Sequence, residues 1–149
     1  MKALAENNRA RFDYEILETY EAGIVLYGFE VKSIKIGHVS LKGSYIIIKD
    51  NEPFLINSLV SPYQQANTPE SYDPQRSRKL LLKKSEIKTL IGKFGVKGLT
   101  LVPLRIYTKK SKLKLEFGIG KGKRKIDKRE TIKKRDTERE EGRDFRIKL

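Results

Sequence analysis

Leu99-Thr-Leu-Val-Pro-Leu-Arg-Ile-Tyr107 and Lys112-Leu-Lys-Leu-Glu-Phe-Gly-Ile119, with Lys109-Lys110-Ser111 between them, decide the fold. In the second segment Leu113, Leu115, Phe117 and Ile119 alternate with Lys112, Lys114 and Glu116. Period-two alternation is the mark of a strand with one buried and one solvated face. The first segment reads as a partner strand. Its Pro103 cannot donate to a ladder, which points to an edge or a bulge. The Lys109–Ser111 stretch is the turn that joins them.

Working outward, Ser85 opens the clearest helix of the chain. Ile87, Leu90, Ile91 and Phe94 follow the i, i+3, i+4, i+7 pattern, Ser85 is the expected N-cap and Gly95 the expected stop. Residues 76–83 are expected to form a shorter helix before it. Residues 61–75, with Pro62, Pro69 and Pro74, read as a surface loop. Upstream, Gly43–Ile48 and Pro53–Leu59 flank an Asp50-Asn51 turn signal and predict a hairpin. Ile24, Tyr27, Val31 and Ile34 predict a helix over 24–36, closed by Gly37. Residues 12–20 place Phe12, Tyr14 and Ile16 at period two and predict a strand that Glu21-Ala22-Gly23 ends.

The order β, α, ββ, α, α, ββ does not alternate regularly, so a doubly wound parallel sheet is not expected. The predicted class is mainly β: a small antiparallel barrel of the OB type carrying about three helices. By analogy alone, such barrels commonly bind nucleic acid.

The charge agrees. The 149 residues hold 33 Lys and Arg against 19 Asp and Glu, a formal net charge of +14. That excess calls for a polyanionic partner. No cysteine is present and His38 is the only histidine. Disulfide scaffolds, thiolate sites, cysteine nucleophiles and multi-histidine metal sites are therefore excluded. No metal, cofactor or small-molecule substrate is called for. No apolar run approaches the roughly 20 residues of a membrane span, and the first residues lack a signal-peptide core. A soluble, cytoplasmic protein without membrane contact is expected.

The composition divides at Gly120. Residues 1–120 form the expected barrel domain. Residues 121–149 hold thirteen basic and seven acidic residues, with Ile126, Ile132, Phe145, Ile147 and Leu149 as their only large apolar side chains. Such a tail cannot bury enough surface to offset chain entropy and is expected to be disordered alone. Pairs such as Glu130–Lys134 make it helix-compatible once bound. Within it Lys121 to Lys125 is dense enough to track a phosphate backbone.

Catalytic motifs are sparse. Gly118-Ile-Gly-Lys-Gly122 lacks the spacing of a phosphate-binding loop and reads as a hinge. Glu21 and Glu30 read as surface charge rather than a catalytic pair, and His38 as a loop residue. The basic clusters carry more information. Asn7-Asn8-Arg9-Ala10-Arg11 and Arg76-Ser77-Arg78-Lys79 offer forked donors for phosphate and amides for base edges. Phe12, Tyr14, Tyr20 and Tyr63 lie close to them in sequence and, where exposed, can stack on unpaired bases.

Six stretches together resemble the SsrA-binding protein family, also called small protein B (SmpB), the partner of transfer-messenger RNA. They are Asn7–Tyr14, Tyr20–Ile24, Gly28–Ser33, Arg76–Leu82, Gly98–Leu104 and Gly120–Arg129. The resemblance implies an OB-type barrel that binds the tRNA-like domain of that RNA. It implies a non-enzymatic adaptor that brings the RNA to stalled ribosomes and stands in for the anticodon arm. RNA-contacting positions match Asn7, Glu21 and Leu81, with basic support from Arg11, Lys32, Arg76, Arg78 and Lys79. The ribosome-contacting tail matches Gly122, Lys123, Arg124, Asp127, Lys128, Arg129, Lys133, Lys134 and Arg135. There the tail is implied to become helical in the vacant messenger channel near the small-subunit decoding centre. Arg124 stands where the family commonly has lysine, which preserves charge. The alternatives are a permanent rRNA-binding ribosomal protein and, last, a nuclease or RNA-modifying enzyme using Glu21 and Glu30.

Overall fold

The computed structural model describes residues 3–64, 66 and 68–123. Its elements are β1 (Ala3–Glu6), α1 (Ala10–Asp13), β2 (Tyr14–Ile24), α2 (Gly28–Lys35), β3 (Val39–Ser40), β4 (Tyr45–Lys49), β5 (Glu52–Ile56), β6 (Leu59–Val60), β7 (Arg78–Leu81), α3 (Lys84–Phe94), β8 (Leu99–Lys109) and β9 (Lys112–Gly122). The hairpin of β8 and β9 is the organiser. β9 pairs with β8 on one side and with β2 on the other. From β2 the sheet continues through β7, β5 and β4 and returns to β8, closing an antiparallel barrel of six strands. Closure removes sheet edges. β1 adds to β8 beyond the point where β4 leaves it, and β3 pairs with β6 outside the barrel.

Alternation in β9 works as the sequence predicts. Leu113, Leu115, Phe117 and Ile119 are all buried, and they pack with Ala22, Leu55, Leu80, Leu101 and Ile106. Each such side chain contributes roughly 1.5–3 kcal/mol by leaving water. A register shift between Pro103 and Arg105 is the bulge that the proline announced. The hairpin of β4 and β5 also forms, with Asp50 and Asn51 at φ 52° and 62°.

Several expectations are corrected. Residues 76–83 are not helical: β7 is held between β5 and β2, and those ladders override local propensity. The helix expected over 24–36 begins only at Gly28, because Ile24 still pairs with Leu80 in the sheet. The strand expected over 12–20 begins at Tyr14 and runs through Glu21-Ala22-Gly23, carried by its long pairing with β9, while Ala10–Asp13 forms one helical turn. The cap of α3 is Lys83 rather than Ser85, and Glu86 accepts the Lys83 N–H at 3.1 Å.

The glycines read as a hinge are strand residues. A Cβ on Gly118 would lie 2.6 Å from Ile16 Cγ2 and 2.9 Å from the Glu18 carbonyl oxygen, and one on Gly120 would lie 3.0 Å from Tyr14 Cβ and Val102 Cγ2. They leave room for a second small core of Ala10, Val102 and Leu104 with Tyr14 and Ile16, which seats α1 on the barrel. The strand runs two residues past the compositional boundary at Gly120.

Glu30 is not surface charge. Its carboxylate is fully buried and receives hydrogen bonds from Arg76, Arg78, Tyr72 Oη and the Tyr27 N–H. Burial pushes its pKa up, but the hydrogen bonds from Arg76, Tyr27 and Arg78 outweigh that and hold it below the usual value. Burial and the Glu30 carboxylate push the Tyr72 hydroxyl up to about 12.

Candidate nucleic-acid interface

Ala22 is fully buried in the core, so strand alternation turns its neighbours Glu21 and Gly23 outward. Glu21 faces Glu116 across the β2–β9 ladder. Its carboxylate accepts the Tyr107 hydroxyl and, at 3.2 Å, Lys109 Nζ. The Arg105 guanidinium lies 4.6 Å over the Tyr107 ring and donates from Nε to Glu116 at 3.2 Å. The Tyr107 hydrogen bond lowers the Glu21 pKa; slight burial opposes it, and Lys109 and Lys114 add to the lowering. Glu21 is thus a fixed, ionised acceptor ringed by cations. Burial and Glu21 raise the Tyr107 pKa, so this hydroxyl stays a donor.

On one flank, Leu81 pairs with Gly23, and a Cβ at Gly23 would sit 3.3 Å from Leu81 Cβ. The glycine lets an apolar side chain, 53% exposed, lie beside the Glu21 cluster. Lys79 projects two residues earlier on the same strand and pairs with Glu52 at 3.0 Å. On the other flank, the Asn7 N–H donates to Leu104 O at 2.8 Å and its Nδ2 to Pro103 O at 2.9 Å. These bonds fix Asn7 against the β8 bulge. Asn7, Arg11, Arg105 and Glu116 line one cleft of about 420 Å³. Asn7, Glu21 and Leu81 therefore share a continuous outer face, with Arg105 and Glu116 as the link.

The remaining sequence candidates divide. Arg11 is exposed on α1, and its carbonyl accepts Lys123 Nζ at 2.8 Å. The Lys123 N–H also donates to Asp13 O, so the chain leaving β9 is tied to α1. Lys32 is exposed on α2, 5.9 Å from the Tyr63 ring centroid. No hydrogen bond or ring contact among the described residues joins it to the Glu21 cluster.

Arg76 is bound to Glu30 and covers the Tyr27 ring at 4.2 Å. Arg78 was expected to face RNA; instead it is 1% exposed and faces inward beside Leu80. All its nitrogens are used by Glu30, Ser58, Tyr72 and the carbonyls of Arg76 and Pro74. It fastens the 61–75 loop to the barrel. Gly122 closes β9, whereas Arg124, Asp127, Lys128, Arg129, Lys133, Lys134 and Arg135 lie outside the described residues.

Arg105, Tyr107, Lys109 and Lys114 were not singled out from sequence. Alternation in β9 already put Lys114 and Glu116 outside, but Arg105 and Tyr107 need the bulge to be placed. Among the described residues no cluster of His, Asp or Glu is arranged to hold a metal, and no helix is long and apolar enough to cross a membrane.

A closed, basic antiparallel barrel with an outward cluster of cations around fixed acceptors defines a small polyanion-binding β-barrel protein. The family model described as SmpB protein matches residues 4–147, and the chain belongs to the SmpB, or SsrA-binding protein, family. It is 51% identical over 138 residues to the SsrA-binding protein of Trichodesmium erythraeum, covering 93% of this chain and 88% of that protein. The SsrA-binding protein of Cupriavidus necator is 52% identical over 140 residues, covering 94% and 93%. A chain in the solved structure described as "tmRNA-SmpB: a journey to the center of the bacterial ribosome" is 48% identical and superposes with a TM-score of 0.66, covering 85% of this chain and 92% of that one.

Proposed function

We propose that this protein is an RNA-binding adaptor that holds the tRNA-like domain of transfer-messenger RNA and carries it to stalled ribosomes for rescue. The observation that carries this reading is the shared face of Asn7, Glu21 and Leu81, joined through Arg105 and Glu116. Cations on such a face position the phosphate backbone. Glu21, held ionised, accepts from base amino or ribose hydroxyl groups, and Leu81 covers an apolar base or sugar surface. The protein supplies binding and placement and no covalent chemistry. It takes the place of the anticodon arm and works in the cytoplasm, where ribosomes are.

The body, through the end of β9 and Lys123, binds the RNA, and the basic residues that follow are the ribosome-contacting tail. A basic segment drawn to rRNA phosphates cannot enter a channel already filled by messenger, so it reports vacancy by steric competition.

The test compares the full chain with a chain ending at Lys123. Each is titrated with transfer-messenger RNA in moderate salt with excess tRNA as competitor. Each is then assayed for peptide tagging on ribosomes with no codon in the A site. Both chains are expected to bind, and only the full chain to support tagging. If neither prefers this RNA over tRNA, the adaptor reading fails and a structural ribosomal protein takes its place.

A further inference from the structure

Asn7 also lines a second cleft, of about 450 Å³, together with Arg9, Tyr14, Tyr45 and Thr100. That volume falls in the range of roughly 300–1,000 Å³ typical of ligand sites. Tyr45 opens β4, and its neighbour Ile46 is buried in the core, so alternation aims the Tyr45 ring outward. The Tyr45 side chain is 44% exposed and, among the described residues, makes no hydrogen bond, ring stack or cation contact. Large aromatic faces left open beside a polar cleft are stacking platforms for unpaired bases.

The polar groups around the ring fit the same occupant. Asn7 Nδ2 is anchored on the Pro103 carbonyl, which fixes the amide plane. Its oxygen remains as an acceptor for a base amino group, and its second N–H as a donor to a ring nitrogen. Arg9 lies 4.7 Å over the Phe12 ring, and one of its terminal nitrogens meets Asp13 at 3.3 Å. Asp13 lines the same cleft, so a phosphate would be met by the Arg9 donors that Asp13 does not take.

We infer that this cleft takes one unpaired nucleotide of the bound RNA. The base stacks on Tyr45, its amino-bearing edge meets Asn7, and its phosphate meets Arg9. The inference rests on the adaptor reading and adds a base-specific subsite to the Glu21 face.

The test uses the full-length protein, Tyr45→Ala and Tyr45→Phe, with transfer-messenger RNA as the probe. Affinity is measured by filter binding, and unpaired bases are mapped by chemical modification at saturating protein. Wild type is expected to protect an unpaired base that Tyr45→Ala leaves reactive. Tyr45→Ala is expected to bind roughly 10–100-fold more weakly. Tyr45→Phe keeps the ring and is expected to match wild type in both readouts. Wild-type affinity and an unchanged footprint in Tyr45→Ala overturn the inference, as does a Phe variant as weak as the Ala variant. If wild type itself shows no preference for this RNA over tRNA, it is the adaptor reading that has failed. The cleft is then judged with a single-stranded oligoadenylate, where the same order of the three proteins supports it and equal binding overturns it.

Discussion

Arg78 and Glu30, 48 residues apart in the chain, meet as a buried ion pair at 2.6 Å, with side-chain exposures of 1% and 0%. Removing one partner of such a pair leaves an uncompensated buried charge and costs about 3–5 kcal/mol. Glu30→Gln keeps the shape but strands Arg78, and its urea midpoint is expected to drop accordingly. The exposed pair of Lys79 and Glu52 is the control. Glu52→Gln is expected to stay within about 0.5 kcal/mol of wild type.

Acid should reveal the same group. The folded pKa of Glu30 lies below the ordinary 4.5 of a free glutamate. Its stabilisation is therefore complete above that value and is lost as pH falls through the folded pKa. Unfolding free energy measured by denaturant titration is expected to decline below about pH 4.5. The decline should be shallower in Glu30→Gln, which has no proton to take up at this site.

Gly118 and Gly122 separate packing from flexibility. Gly118→Ala forces a methyl against Ile16 and the Glu18 carbonyl, and backbone cannot step aside cheaply. Overpacking of this kind costs about 1–3 kcal/mol. Gly122→Ala meets nothing within 4 Å and is expected to melt with the wild type. Thermal melts of the two variants check the difference, and equal losses would contradict the packing role.

The barrel was legible where one face alternates. The β8–β9 hairpin, the β4–β5 hairpin and α3 follow from their own residues. The 76–83 stretch was misread because its two inward residues are Arg78 and Leu80, a pair with no common hydropathy. Arginine turns inward there only because Glu30 arrives from α2, and no local pattern carries that information. For the same reason two of the three basic residues in the Arg76–Lys79 cluster, Arg76 and Arg78, serve the fold. Asn7, Glu21 and Leu81 came from resemblance. Their common face became visible only once the β2–β9 and β2–β7 registers were known.

Tyr107 is expected to act on RNA through Glu21. Tyr107→Phe removes the hydroxyl that chiefly lowers the Glu21 pKa, which should rise toward the ordinary value in a carboxyl NMR titration. Affinity for transfer-messenger RNA is expected to fall several-fold, because the acceptor loses its fixed orientation. An unchanged Glu21 titration would remove this link.

Salt dependence sorts the basic side chains by role. Each lysine or arginine that neutralises a phosphate releases a counterion, and its loss lowers the slope of log affinity against log salt by about 1. Arg11 and Lys32 are exposed, and Arg11→Gln and Lys32→Gln are each expected to show that decrement with unchanged melting. Arg78 has no donor left for a phosphate, since Glu30, Ser58, Tyr72 and two carbonyls take them all. Arg78→Gln is expected to lose stability by several kcal/mol, because the Glu30 carboxylate loses its most buried partner. Whatever fraction of that variant stays folded should bind RNA with the wild-type slope. A reduced slope in the folded Arg78 variant would place its guanidinium on the RNA and contradict the structural role assigned to it.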